Sequence, residues 1–130
     1  MEQINRACAI GFIENIWNQS RFDMLSDFLH PGFRDFSQPF FAVQNISGLR
    51  LYLKEIGKVF IHKTTIQDLT CEGEMVRLKI KIDFALIEIP DLIEAGQHVT
   101  SLAGYRYFKM SEGKILDHWE DLKVPDHVLS

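Results

Sequence analysis

The sequence predicts an α+β fold, with three amphipathic helices laid over a run of long antiparallel strands. Apolar residues recur at helical spacing up to about residue 60 and alternate strictly beyond it. Two Gly-centred turn signals, Glu72-Gly73-Glu74 and Ser111-Glu112-Gly113, punctuate the second half. Segregation of helices from strands argues for helices packed on one face of a sheet. The 130 residues fit a single domain spanning 1–130, and a hydrophobic fraction of 46% is enough to give it a core.

The first helix is expected over residues 3–18. Ile4, Cys8, Phe12 and Ile16 form its apolar face, with Ala9, Ile13 and Trp17 alongside. Ser20-Arg21-Phe22-Asp23 reads as a capping box opening a short second helix. His30-Pro31-Gly32 should end that helix, because the residue before a proline is pushed out of the helical region. A short extended piece over Phe33 to Phe36 and an irregular stretch from Ser37 to Asn45 follow. Ser47 is the expected cap of a third helix carrying Leu49, Leu53, Ile56 and Phe60 on one face. Strands are expected over Thr64–Cys71, Met75–Ile89, His98–Met110 and Lys114–Leu122, with a connection at residues 90–97. In the second of these, Val76, Leu78, Ile80, Ile82 and Phe84 face the core, while Arg77, Lys79, Lys81 and Asp83 face out.

Composition narrows the function. A net charge of −4 with scattered Lys and Arg gives no electrostatic footprint for nucleic acid. No apolar run approaches the length of a membrane span, and the N-terminus reads as a helix rather than a signal peptide. Cys8 and Cys71 belong to no CxxC pair and read as buried thiols in a reducing, cytoplasmic compartment. The five His lack HxH, HxxxH and HExxH spacing, so no metal site is expected, nor any other cofactor. His62 and His98 flank predicted loops and read as exposed. Ten Phe are enough to line a pocket as well as a core.

Several segments resemble the SnoaL-like polyketide cyclases of the nuclear transport factor 2-like superfamily. The run from Phe12 through Trp17-Asn18-Gln19 to Asp23 and Leu25 resembles their opening helices. His30-Pro31-Gly32-Phe33 resembles the entry to their first strand, and Ser47-Gly48-Leu49 the start of their third helix. Glu72-Gly73-Glu74-Met75-Val76 is similar to the hairpin before their long strand, and Gly113-Lys114-Ile115 through Trp119 to their closing strand. The resemblance implies a cone-shaped, curved, antiparallel or mixed sheet, a pocket for a small hydrophobic ligand at its open end, and pairing of two copies through their sheets. The activity it implies is cofactor-independent acid/base chemistry on a carbonyl compound, as a cyclase, isomerase or dehydratase. Three departures accompany it. Lys123 stands where many relatives carry a carboxylate, Phe36 where many carry a His, and no Thr-His-x-Gly stretch follows Phe84. A non-catalytic ligand-binding or dimer-scaffold domain is therefore the rival reading, and a limonene-epoxide-hydrolase-like hydrolase a further one.

His118-Trp119-Glu120-Asp121 is the best chemical candidate. If Trp119 packs into the cone, Asp121 shares its face, and a carboxylate beside an indole is suited to proton transfer. Asp121 is thus the expected acid/base. Glu120 is held in reserve, because a one-residue change of register exchanges the two. Trp17, Phe36, Phe40, Phe60, Phe84 and Trp119 are expected to surround the cavity, and Tyr105, Tyr107 or Arg106 to orient a carbonyl, against the commoner reading of strand tyrosines as cross-strand packing. Lys81 and Asp83 resemble a basic-x-Asp pair but fall on the outward parity.

Overall fold

A computed structural model describes residues 1–87 and 100–124. The first helix, α1, runs Glu2–Gly11 and continues as a π-helical segment, Phe12–Trp17. Its buried face holds Cys8, Ala9, Phe12, Ile13, Ile16 and Trp17, whereas Ile4, expected on that face, is exposed one turn before the core begins. The second helix begins as a 3-10 turn, Phe22–Met24, and continues as α2, Leu25–Phe28. The expected capping box does not form. Ser20 adopts φ +56°, and no side chain caps the turn that follows. The third helix, α3, spans Ile46–Val59, and its cap is Asn45 rather than Ser47. The Asn45 carboxamide oxygen accepts from the Gly48 N–H at 2.8 Å.

Five strands form one sheet: β1 (Leu29–Asp35), β2 (Phe60–Glu72), β3 (Met75–Leu86), β4 (Thr100–Ser111) and β5 (Lys114–Lys123). Their order is β1-β5-β4-β3-β2. β1 runs parallel to β5, and the other pairs are antiparallel. β1 starts four residues earlier than expected and takes His30-Pro31-Gly32 into the strand, which a proline tolerates at a sheet edge. The expected connection at residues 90–97 lies outside the described residues.

The strict alternation of β3 is realised. Val76, Leu78, Ile80 and Ile82 are buried under the helices, while Arg77 and Lys79 are exposed on the other face. Each such aliphatic contributes about 1.5–3 kcal/mol on burial. Phe108, Met110 and Ile115 extend that inner face onto β4 and β5, and α1 and α3 close over it with Phe12, Ile16, Leu49 and Leu53. β2 is an edge strand, pinned to α1 by a side chain. Asn18 at the end of α1 donates to the Thr64 carbonyl at 2.9 Å and accepts from the Thr64 N–H at 2.8 Å.

Two irregularities shape the inner face of β4 and β5. Gly104 has φ +151°, and a Cβ there would meet the Asp121 carbonyl oxygen, so the two strands approach more closely than a side chain allows. The β4–β5 register shifts once: Lys109 pairs with Asp117 but Met110 with Ile115, leaving Leu116 as an extra residue.

Candidate functional site

The bulge at Leu116 decides what the cone contains. Ile115 faces in, but one extra residue reverses parity beyond it, so His118 and Glu120 face in and Trp119 and Asp121 face out. On β4, Arg106 follows the inward parity of Phe108 and Met110. On β1, Asp35 shares the buried parity of Leu29 and Phe33. Three neighbouring strands thereby bring Asp35, Arg106, His118 and Glu120 to one place. Trp17 closes over them from α1, with the Arg106 guanidinium 4.0 Å from its ring centroid.

These groups form a chain of hydrogen bonds. An Arg106 N–H donates to His118 Nε2 at 3.2 Å. An arginine has only donors, so Nε2 is the acceptor and the proton of a neutral ring sits on Nδ1. That Nδ1–H donates to the Asp35 carboxylate at 2.9 Å, and the same carboxylate accepts from the Ser37 N–H at 3.0 Å and from its hydroxyl. Arg106 also lies 3.1 Å from a Glu120 carboxylate oxygen. Arg106 is 2% exposed, whereas 28% of the Glu120 side chain remains open.

The electrostatics follow from burial and pairing. Burial alone would raise the Asp35 pKa, but the hydrogen bond and charge of the His118 ring, with the two bonds from Ser37, outweigh it and leave the group below its usual value. Burial works against the Arg106 charge, opposed by Glu120, Asp35 and Tyr52. Tyr52, on α3, is raised by burial and then by the Glu120 charge, so its phenol holds its proton. His62 is lowered by burial and then by the Arg106 charge. Three buried nitrogens in this region have no hydrogen-bond partner among the described residues: Trp17 Nε1, His62 Nδ1 and Arg106 Nε.

The residues expected from the sequence divide between the two faces of the sheet. Trp17 is in the interior. Phe60 and Phe84 are half-buried, 5.6 Å apart edge to face, and continue the interior wall. Trp119 is not in the cone. It stacks on Phe36 at 5.5 Å, and both rings are exposed on the outer face. Phe40 is 70% exposed in the segment after β1. Tyr105 and Tyr107 lie on the outer face, 6.2 Å apart, with Arg77 over Tyr105. Asp121 pairs with Tyr105 there and is exposed. The expectation that Asp121 points inward is thus corrected by the bulge, and Glu120 takes the inward place. Lys81 and Asp83 are 3.6 Å apart on the outer face, as parity requires.

His62 is also corrected. It is not in a loop but in β2, where it points inward, 5.9 Å from the Trp17 ring. His98 lies outside the described residues. Both cysteines are free and buried, and burial pushes the Cys8 thiol up to about 11, which leaves it unreactive. Cavities bounded by described residues include one of about 500 Å³ at the hairpin tips, lined by Asn5, Glu74 and Glu112, and one of about 310 Å³ beside Asn18 and Thr64. Neither includes Arg106 or His118.

Solved structures match the chain over nearly its whole length. A putative SnoaL-like polyketide cyclase from Jannaschia sp. CCS1 superposes with a TM-score of 0.74 at 18% identity, covering 98% of this chain and 89% of that one. The fold is SnoaL-like. AclR, a putative hydroxylase from Streptomyces galilaeus, shares it with a TM-score of 0.74 at 14% identity, covering 99% and 96%. So does an epoxide hydrolase of LEH-like type from M. tuberculosis, with a TM-score of 0.70 at 10% identity, covering 94% and 84%. No family model matches the sequence, and no curated protein does. Identities this low carry the SnoaL-like fold and no activity. Among the described residues, no helix is long and apolar enough to cross a membrane.

Sequence reasoning places Arg106 among the groups able to orient a carbonyl and His118 within the best chemical candidate, but it misses Asp35 and Tyr52 and the network that joins them. Arg106 carried a usable signal: it alternates with Phe108 and Met110, and an arginine on the apolar parity of a strand is unusual. Asp35 carried none, because its partner is 83 residues away.

Proposed function

We propose that this SnoaL-like chain binds a small carbonyl compound in its cone and moves protons on it without a cofactor, with Glu120 as the acid/base. The observation that carries this reading is Arg106. A buried guanidinium whose Nε has no partner among the described residues is costly to maintain and suited to stabilising negative charge that develops on a bound molecule. Glu120 is oriented by that guanidinium and remains open enough to meet a substrate. Its carboxylate takes a proton from the carbon next to the carbonyl, and the electron pair moves onto the carbonyl oxygen. Return of the proton at another carbon gives isomerisation, loss of a β-hydroxyl gives dehydration, and attack on a second carbonyl closes a ring. Asp35 and His118 hold Arg106 in place and do not meet the substrate.

Exchange in D2O tests this without knowledge of the natural substrate. The protein should incorporate deuterium next to the carbonyl of ketones such as α-tetralone, read by mass spectrometry. Glu120→Gln should lower that rate about 100- to 10,000-fold, whereas Asp121→Asn, on the outer face, should leave it unchanged. A second reading, a non-catalytic binder, is favoured by the completeness of the network: both His118 nitrogens are engaged and Glu120 is already ion-paired. Absence of exchange above the protein-free background selects that reading, and exchange that survives Glu120→Gln removes Glu120 as the acid/base.

The same proposal includes a homodimer and a cytoplasmic setting. The free thiols suit a reducing compartment. The outer face supplies the dimer surface. Its cross-strand rows read Arg77, Tyr107, Trp119 and Lys79, Tyr105, Asp121. A two-fold axis along β4 would set β3 of one copy over β5 of the other, with Lys79 opposite Asp121 and Arg77 opposite Trp119.

A further inference from the structure

We propose that the cavity at the hairpin tips is a second binding site and takes an aliphatic polyamine, with one ammonium group donating to Asn5 Oδ1 and the others held by the carboxylates of Glu2, Glu74 and Glu112. The site is separate from the cone and does not depend on what the cone does. Asn5 precedes Trp17 by more than three turns of the same helical run, roughly 18 Å along its axis.

Three elements build the walls. The first turns of α1 supply Glu2 and Asn5, the β2–β3 turn supplies Glu74, and the β4–β5 hairpin supplies Ser111 and Glu112. The hairpins are fixed by their own contacts. The Met110 N–H donates to the Glu74 carbonyl at 2.6 Å, which ties one hairpin to the other. A Cβ on Gly113 would come within 3.1 Å of Ile4 Cγ2, so the second turn lies directly against α1. A space of about 500 Å³ remains between these parts.

Asn5 points to the kind of ligand. It is 3% exposed, it lines this cavity, and its Oδ1 has no hydrogen-bond partner among the described residues. A buried acceptor in that state costs a substantial part of a domain's stability margin, and a donor entering from the cavity would satisfy it. The ionised side chains of Glu2, Glu74 and Glu112 are also acceptors only. An ammonium group is their complement, with three N–H donors and no acceptor.

Charge agrees with the donor count. Three carboxylates face the α-amino group of Met1 and the roughly half unit of positive charge at a helix N-terminus, so the balance is negative. None of the described residues lining the cavity is Lys or Arg, and the Lys114 ammonium, beside the turn, donates to the Ser26 carbonyl. Spacing then decides the kind of cation. Among the described residues, no three His, Cys, Asp or Glu side chains lie close enough to hold one metal ion. Carboxylates that cannot share one ion can each meet a separate ammonium along a flexible alkyl chain. The Met110 side chain offers that chain an apolar contact.

Calorimetry on the intact protein tests this with three probes: spermidine, butylamine and calcium chloride. Spermidine should bind at a single site, weaken as sodium chloride is raised, and exceed each of the other probes in affinity by about tenfold or more. Asn5→Leu should weaken spermidine by about tenfold and raise the melting temperature of the free protein, because it removes an unpaired buried acceptor and keeps the bulk. A lowered melting temperature with spermidine binding intact would make Asn5 a folding residue and overturn the proposal. Glu74→Gln combined with Glu112→Gln, both exposed, should also weaken spermidine by about tenfold, without moving the melting temperature. That pair keeps the proposal testable if Asn5→Leu does not fold. Tighter binding of calcium than of spermidine, equal binding of spermidine and butylamine, or spermidine binding indifferent to these substitutions would each overturn it. The last result would mean that the polycation gathers loosely on a chain of net charge −4.

Discussion

His118 commits both ring nitrogens to neighbours, one to Arg106 and one to Asp35, and so acts as a spacer of fixed tautomer between a cation and an anion. Removing one partner from a buried pair of this kind typically costs roughly 3–5 kcal/mol, because the other is left unmatched. The pH dependence follows from two groups. The native Asp35 pKa lies below its unfolded value of about 3.9. Its contribution is therefore fully present above that pH and is lost as pH falls through the lower native value. The native His62 pKa is also lowered, from an unfolded value of about 6.5. Below that pH the unfolded chain takes up a proton that the native ring resists, so stability declines as pH falls from 6.5 through the native value. Melting temperature measured between pH 8 and pH 5 should therefore fall on acidification, and His62→Phe should flatten that slope. An unchanged slope would mean that His62 does not titrate differently on folding.

At the scale of elements, the fifth strand matters most. Deleting Leu116 removes the bulge and returns β5 to simple alternation with β4. His118 and Glu120 would then follow Ile115 at two and four positions and keep facing inward, with Trp119 and Asp121 outward. Urea unfolding of this variant should retain most of the wild-type stability, since the Asp35–His118–Arg106 chain keeps its register. A loss of several kcal/mol would mean that β5 had slipped in register and broken that chain as a unit. The same bulge limited what could be read from the sequence. Helix existence, the alternation of β3 and the outward parity of Lys81 and Asp83 were all legible, because hydrophobic period depends on local spacing alone. A single inserted residue has no composition signal, and it exchanged Asp121 for Glu120. His62 was misplaced for a related reason: Phe60 continues the helical spacing of α3, yet its backbone already belongs to β2. The network itself joins residues distant in sequence, and only the cross-strand register brings them together.

For the whole molecule, the outer face is where association should be visible. It stacks Trp119 on Phe36 in the open and interleaves β3 cations with Tyr105, Tyr107 and Asp121. Light scattering at micromolar concentration should report a dimer, and Trp119→Glu should shift it toward monomer without altering the far-ultraviolet spectrum. A wild-type monomer would remove the proposed interface. The opposite border of the sheet raises a different question, that of unwanted growth. β2 is a thirteen-residue edge strand whose unpaired amides could template another chain. The Asn18 carboxamide occupies one N–H and one C=O of that edge as a strand backbone would, without offering a continuing strand of its own. A side chain from α1 thereby acts as a chain terminator, and helix docking and resistance to fibrous polymerisation depend on the same pair of hydrogen bonds.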